Sequence, residues 1–230
     1  MKSISHPGLM KFFEIIILSI GTAFFNAMVI KADIGVFAAW ESLSIPISHL
    51  TGLQVFTFSM IMNTVCILIQ MLILRKDFPK TGFLQFIFVL GYGSLVNFFY
   101  YNFFTFTIHH YYQRLFLLFA SIVGVGFFLG SLCSLKIVSM SLETTCVVLS
   151  EKLHISFSYF RIGIDVVCVV VSVLLSWLFH LPLAIREGTI ICVCFLGLLE
   201  NFFMKRAGKF HEKLYGAEAK SAQKEVSVSR

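Results

Sequence analysis

The chain has 230 residues, of which 58% are hydrophobic and only 13% charged, about half the ~25% charged share of a soluble domain. With a mean hydropathy of +0.88 it has too few charges to cover a water-facing surface, which argues against an ordinary soluble enzyme or binding domain. The net charge of +6 gathers at the ends of apolar runs and in the C-terminal tail. That distribution argues against nucleic-acid binding and fits an excess of Lys and Arg on one membrane face.

In chain order, residues 11–30 form the first predicted span. The run is longer than the apolar core of a secretory signal, about 7–15 residues, Glu14 interrupts it, and no small-residue cleavage site follows. Next comes GVFAAWESLSIPISHLTGL, residues 35–53, which carries Glu41, Ser42, Ser44, Pro46, Ser48 and His49 between apolar runs. As a helix over 35–50 it would reach only about 20 Å, short of a hydrocarbon core of about 30 Å. A broken or re-entrant helix is expected there.

Further spans are predicted at 55–74, 82–104, 115–135, 157–179 and 183–204. The aromatic YYNFFTFTIHHYY between the third and fourth suits the headgroup level. A second short polar helix is expected at 141–153, within SMSLETTCVVLSEKLHI, with Glu143 in the place of Glu41. Residues 205–230 read as a basic, polar, solvated tail, helical at most at its start. With six spans, Lys2, Lys11, Arg75, Lys76, Lys80, Lys205, Arg206 and Lys209 fall on one side, so both termini are expected in the cytoplasm.

The six cysteines lie within or beside apolar segments. They form no CxxC pair and no Cys/His zinc spacing, so they are expected to act as small hydrophobes, with no disulfide, metal or cofactor. No HExxH, GxGD-like or GxSxG run is present, so no enzymatic activity is expected.

The two short helices anchor a repeat. With Glu41 set over Glu143, Ser59 falls over Arg161 and Asn63 over Asp165; Thr81-Gly82 then matches Glu187-Gly188, and Asn97-Phe98-Phe99 matches Asn201-Phe202-Phe203. Each half reads span, short helix, span, span. Three crossings per half invert the second half relative to the first, so the short helices would enter from opposite faces and meet near the midplane. The expected fold class is therefore all-α, a polytopic transmembrane helical bundle of six spans as a 3+3 inverted repeat. It divides into a first membrane repeat (1–104), a connecting loop (105–114), a second membrane repeat (115–204) and the tail (205–230).

Gly35, Trp40-Glu41-Ser42-Leu43, Thr51-Gly52-Leu53, Thr81-Gly82 and Gly91, echoed by Glu143, Arg161, Asp165 and Gly188, resemble the pattern of the YczE/YyaS/YitT-type bacterial integral membrane proteins. The resemblance runs from about residue 21 to 204. The chain departs from it at Ala39, where a proline is expected, at Glu41, where Asp is expected, and at Ile137-Val138-Ser139, where a glycine-rich lead-in is expected. The resemblance implies a multi-pass protein of the bacterial inner membrane with a transporter-like architecture, and no reaction.

A carboxylate in the hydrocarbon zone costs on the order of 2.5–3.5 kcal/mol unless it faces a cavity or a partner. Glu41 and Glu143 are thus the leading candidates for a substrate or proton site, with adjacent Trp40 as a contact; the bland alternative is a pair of interfacial helices with both acids solvated. Arg161 and Asp165, four apart on one helix face, can pair or line a path, and Asn63 needs a partner in lipid. The histidines read as solvated or interfacial. Gly91 with Gly93, and Gly124 with Gly126, are candidates for close helix contact. The function expected is a transporter or channel for a small polar solute, with its site between the repeats. The alternative is a membrane-embedded regulator or scaffold acting through its tail. The partners expected are the lipid bilayer and a small solute, not nucleic acid; a homo-oligomer is compatible with the sequence.

Overall fold

The computed structural model describes residues 7–36, 40–75, 78, 81–135, 141–154, 157–183 and 185–228, with backbone alone for 7–9, 40, 81, 143, 157–158 and 214–228. Helix α1 (Pro7–Lys31) is followed by a 3-10 turn (Trp40–Leu43) that runs directly into α2 (Ser44–Thr51). Then come α3 (Val55–Leu74), α4 (Thr81–Phe98) prolonged by a π-helical turn (Phe99–Phe103), and α5 (Tyr111–Ser134). The chain continues through α6 (Ser141–Leu153), α7 (Phe157–Leu178) and α8 (Glu187–Val228). No strand occurs among the described residues.

Six segments, Met10–Lys31, Val55–Leu74, Gly82–Phe103, Tyr111–Ser134, Tyr159–Leu178 and Glu187–Lys213, are long and apolar enough to cross a bilayer. These are the six spans expected, and the protein is a polytopic helical bundle of the membrane. Its outer face carries large apolar groups such as Leu72, Phe116 and Trp177, each about three-quarters exposed. In water they would drive aggregation; in lipid they are solvated. The last span starts at Glu187 rather than near residue 183, and the helix continues past Met204 without a break through the polar tail.

α1 is the shared wall of the core. Ala23, Ala27 and Ile30 pack against Val55 and Phe56 of α3, Val96 of α4, and Phe104. Val29 and the following Ala32 and Ile34 pack against Leu118, Ile122, Val125 and Leu129 of α5 and Cys192 and Leu196 of α8. Close approach of α5 is made possible by missing side chains: a Cβ on Gly124 would fall 2.3 Å from the Phe25 ring, and one on Gly126 would fall 2.8 Å from Leu199 Cβ. Gly93 similarly meets Met60, but Gly91 has nothing within 4 Å of its Cβ position, so it is no packing site.

Polar seams close both ends of the bundle. At one end His211 Nε2 lies 2.6 Å from Glu14 Oε1, and its Nδ1 lies 2.8 Å from Ser134 Oγ, joining α8, α1 and α5. At the other end Arg114 Nη1 donates to Asp33 Oδ2 at 2.7 Å, Arg186 Nη1 donates to the Asp33 carbonyl at 2.8 Å, and Gly188 N–H donates to the Ile34 carbonyl at 2.9 Å. α2 follows the segment at this second end, whereas α6 follows the end of α5 beside His211. Neither short helix is long enough to cross.

Each short helix is bound by a polar side chain from a long one. Gln70 on α3, almost fully buried, donates through Nε2 to the Ser141 carbonyl at 2.9 Å and to Thr145 Oγ1 at 2.8 Å. Ser172 on α7 donates to the Ser42 carbonyl at 2.8 Å. Gln70→Leu should cost about 1–2 kcal/mol. Hydrogen exchange should then speed up across Ser141–Leu153 while α1 and α5 stay protected. Unchanged protection of α6 would mean that Gln70 does not hold it.

Candidate functional site

The 3-10 turn brings Glu41 against α1 and α4. Asn26, in the middle of an otherwise apolar stretch of α1 and fully buried, donates through Nδ2 to Tyr92 Oη at 2.9 Å and to Glu41 Oε1 at 3.4 Å. The first bond is strong by geometry and the second is long. The Glu41 residue as a whole is half-buried, yet its Oε2 is sealed from solvent and has no partner. Asn26 Oδ1 and Ser44 Oγ are likewise sealed and unpartnered, and Ser44 is only 2% exposed. Unpaired polar atoms of this kind are expensive, about 1–3 kcal/mol each, so their occurrence on Glu41, on Asn26 bonded to it and on Ser44 three residues further along marks a stretch that is not simply packed.

Glu41 lies outside the six spans. Burial pushes its carboxyl up to about 7, and the hydrogen bond from Asn26 pulls it part of the way back. Among the described residues, Tyr92 on α4 and Cys192 on α8 are ionisable side chains that feel the Glu41 charge. Neither supplies a cation.

The other expected site residues fall elsewhere. Glu143 and Trp40 lie on described backbone, in α6 and in the 3-10 turn, but their side chains are outside the described residues. Asn63 accepts at Oδ1 from Ser141 Oγ at 2.6 Å and donates to the Ser59 carbonyl at 2.8 Å, so it joins α3 to the start of α6. Arg161 donates to Asp165 Oδ1 on α7, a separate charge pair. Asn26 and Tyr92 were not singled out from the sequence, and Ser44 was named only as one polar residue of the short stretch. Asn26 had the clearer signal, an amide alone in an apolar span, whereas Tyr92 is indistinguishable from the many interfacial aromatics. Among the described residues no group of three or more His, Cys, Asp or Glu side chains could hold a metal ion. The six cysteines form no disulfide, and four of them are buried.

Comparison with curated proteins finds no match, and comparison with solved structures finds none either. A family sequence model, by contrast, covers the whole bundle and stops where the polar extension of α8 begins: the chain belongs to a family of unknown function (DUF6198), matched over residues 9–205.

Proposed function

We propose that the protein is a transporter or channel for a small polar solute or ion, built as a 3+3 inverted repeat, with Glu41 at its solute site. The observation that carries this reading is the sealed Glu41 carboxyl, with an unpartnered oxygen in the turn that leads into a non-crossing helix. Paired interruptions of this kind house the binding site in many inverted-repeat carriers. The repeat is supported by reciprocal contacts. Gln70 and Ser172 stand at the same offset as Glu41 and Glu143, and each binds the short helix of the opposite half. Buried Cys66 and Cys168 share that offset. So do the left-handed residues ending the short helices, Gly52 (φ +72°) and His154 (φ +55°). In this reading the protein performs no catalysis, resides in the bacterial inner membrane with both termini cytoplasmic, and shares its architecture with the YczE/YyaS/YitT-type proteins.

The test replaces the six native cysteines and introduces Glu41→Cys and, separately, Glu143→Cys. Membrane-impermeant thiol reagents are then added from each side. Labelling at both positions from opposite faces is expected. Two positions that stay unreactive would mean that no water-filled path reaches them, and reaction only at shallow interfacial depth would mean surface helices without a path.

A further inference from the structure

We infer that the buried carboxyl of Glu41 binds a small monovalent cation, either a bare alkali ion or an ammonium-type group, in competition with the proton. The inference rests on the reading of Glu41 as a ligand site. Its content comes from the chemistry of the unpartnered atoms. Glu41 Oε2, Asn26 Oδ1 and Ser44 Oγ are all oxygens able to accept, and all are shut off from solvent. The amide hydrogens of Asn26 are already directed to Glu41 Oε1 and Tyr92 Oη. Tyr92 and Cys192, ionisable groups that feel the charge of Glu41, bring no positive charge.

An anionic solute would meet the charge of the Glu41 carboxylate, which repels it. A neutral sugar-like solute could use the acceptors but would leave the charge of the ionised carboxylate uncompensated. A monovalent cation neutralises the carboxylate, and unpartnered oxygens such as Glu41 Oε2 and Asn26 Oδ1 suit it as ligands. Hard oxygen donors suit alkali ions, and an ammonium group offers the three diverging N–H bonds that such a set accepts. A divalent metal is disfavoured, because Glu41 supplies one carboxylate where such ions usually collect several charged ligands. Ser44 lies three residues after Glu41, so the 3-10 turn and the start of α2 present both to the same face.

The experiment follows the melting temperature of the purified full-length protein at pH 8.5 in NaCl, KCl, methylammonium chloride or choline chloride at equal ionic strength. Expected is a saturable rise over choline, about 5 °C at a hundredfold excess over Kd, with at least one of the three test cations. The salt that produces it separates an alkali ion from an N–H-bearing cation. The rise should vanish in Glu41→Gln, shrink in Ser44→Ala, and fade in wild type as the pH is lowered to 6 and a proton occupies Oε2. Equal melting in all four salts, or a rise that survives intact in both variants, would overturn the inference. Thiol labelling at position 41 without any cation response would remove the cation and leave the path. A cation response with position 41 unreactive from both sides would keep the site and remove the path.

Discussion

Gly35→Ala is expected to unfasten the bundle at the end where α1 meets α8, lowering stability by about 2–5 kcal/mol. The segment after α1 lies directly on the first turn of α8. A Cβ on Gly35 would stand 2.3 Å from the Thr189 amide nitrogen and 2.7 Å from the Gly188 carbonyl carbon. Both contacts are with backbone, so no rotamer change can relieve them. One strand of chain must move by an ångström or more. That movement breaks the bond from Gly188 N–H to the Ile34 carbonyl at 2.9 Å and the bond from Val36 N–H to Thr189 Oγ1 at 3.1 Å. Ile34 and Val36 are almost fully buried, so the freed groups gain no water.

The controls are Gly91→Ala and Gly163→Ala, exposed helical positions with nothing within 4 Å of the added carbon. Replacing glycine with alanine there should be neutral or stabilising by about 0.4–1 kcal/mol. Thermal melts of the four proteins in one detergent decide the matter. Gly188→Ala, whose Cβ would sit 2.7 Å from the Ile34 carbonyl oxygen, should resemble Gly35→Ala, and the double variant should lose less than the sum. If Gly35→Ala melted with the controls, the seam would not be closed as described.

The spans were legible because lipid imposes a crude rule: about 20 apolar residues or no crossing. Short polar runs such as WESLSIPISHLT stand out against that rule by composition alone. The proposed repeat rests on anchors found in each half, Glu41 with Glu143 and Gly82 with Gly188. What the sequence could not show is which polar side chains meet. Asn26 reaches Tyr92 across 66 positions of chain, and Gln70 reaches Ser141 across 71. No local pattern encodes such distances, since every polar residue in a span looks alike until the packing is known. Gly91 and Gly93 illustrate the same gap: only their helix faces distinguish them, and only Gly93 is in contact. The unbroken course of α8 was hidden for a different reason. Its polar part lacks apolar periodicity, but it is rich in Ala, Glu and Lys, which favour helix without needing a partner.

Glu41 is expected to react with an apolar carbodiimide over a pH range in which ordinary carboxyls do not. The reagent attacks the protonated acid. A carboxyl that titrates near 4.5 loses roughly 99% of its reactive form by pH 7. Glu41, pushed up to about 7 by burial, should label almost uniformly from pH 5 to 6 and fall to half near pH 7. Peptide mapping of the modified protein reads both populations in one sample. Removing the Asn26 donor removes the one influence that favours the charged form, so Asn26→Leu should move the Glu41 midpoint upward. Stability has the matching sign. The folded state holds the Glu41 proton more tightly than the unfolded chain, so this group's contribution is fully present below about pH 4.5 and is lost as the pH rises to about 7. Glu41→Gln, which cannot ionise, should consequently melt higher than wild type at pH 8.5 in choline chloride and alongside it at pH 5. A Glu41 that labels only below pH 5, with a Gln variant no more stable at high pH, would mean that the carboxyl is solvated. It would then be a surface acid on an interfacial helix, and neither a path nor a cation site could be built on it.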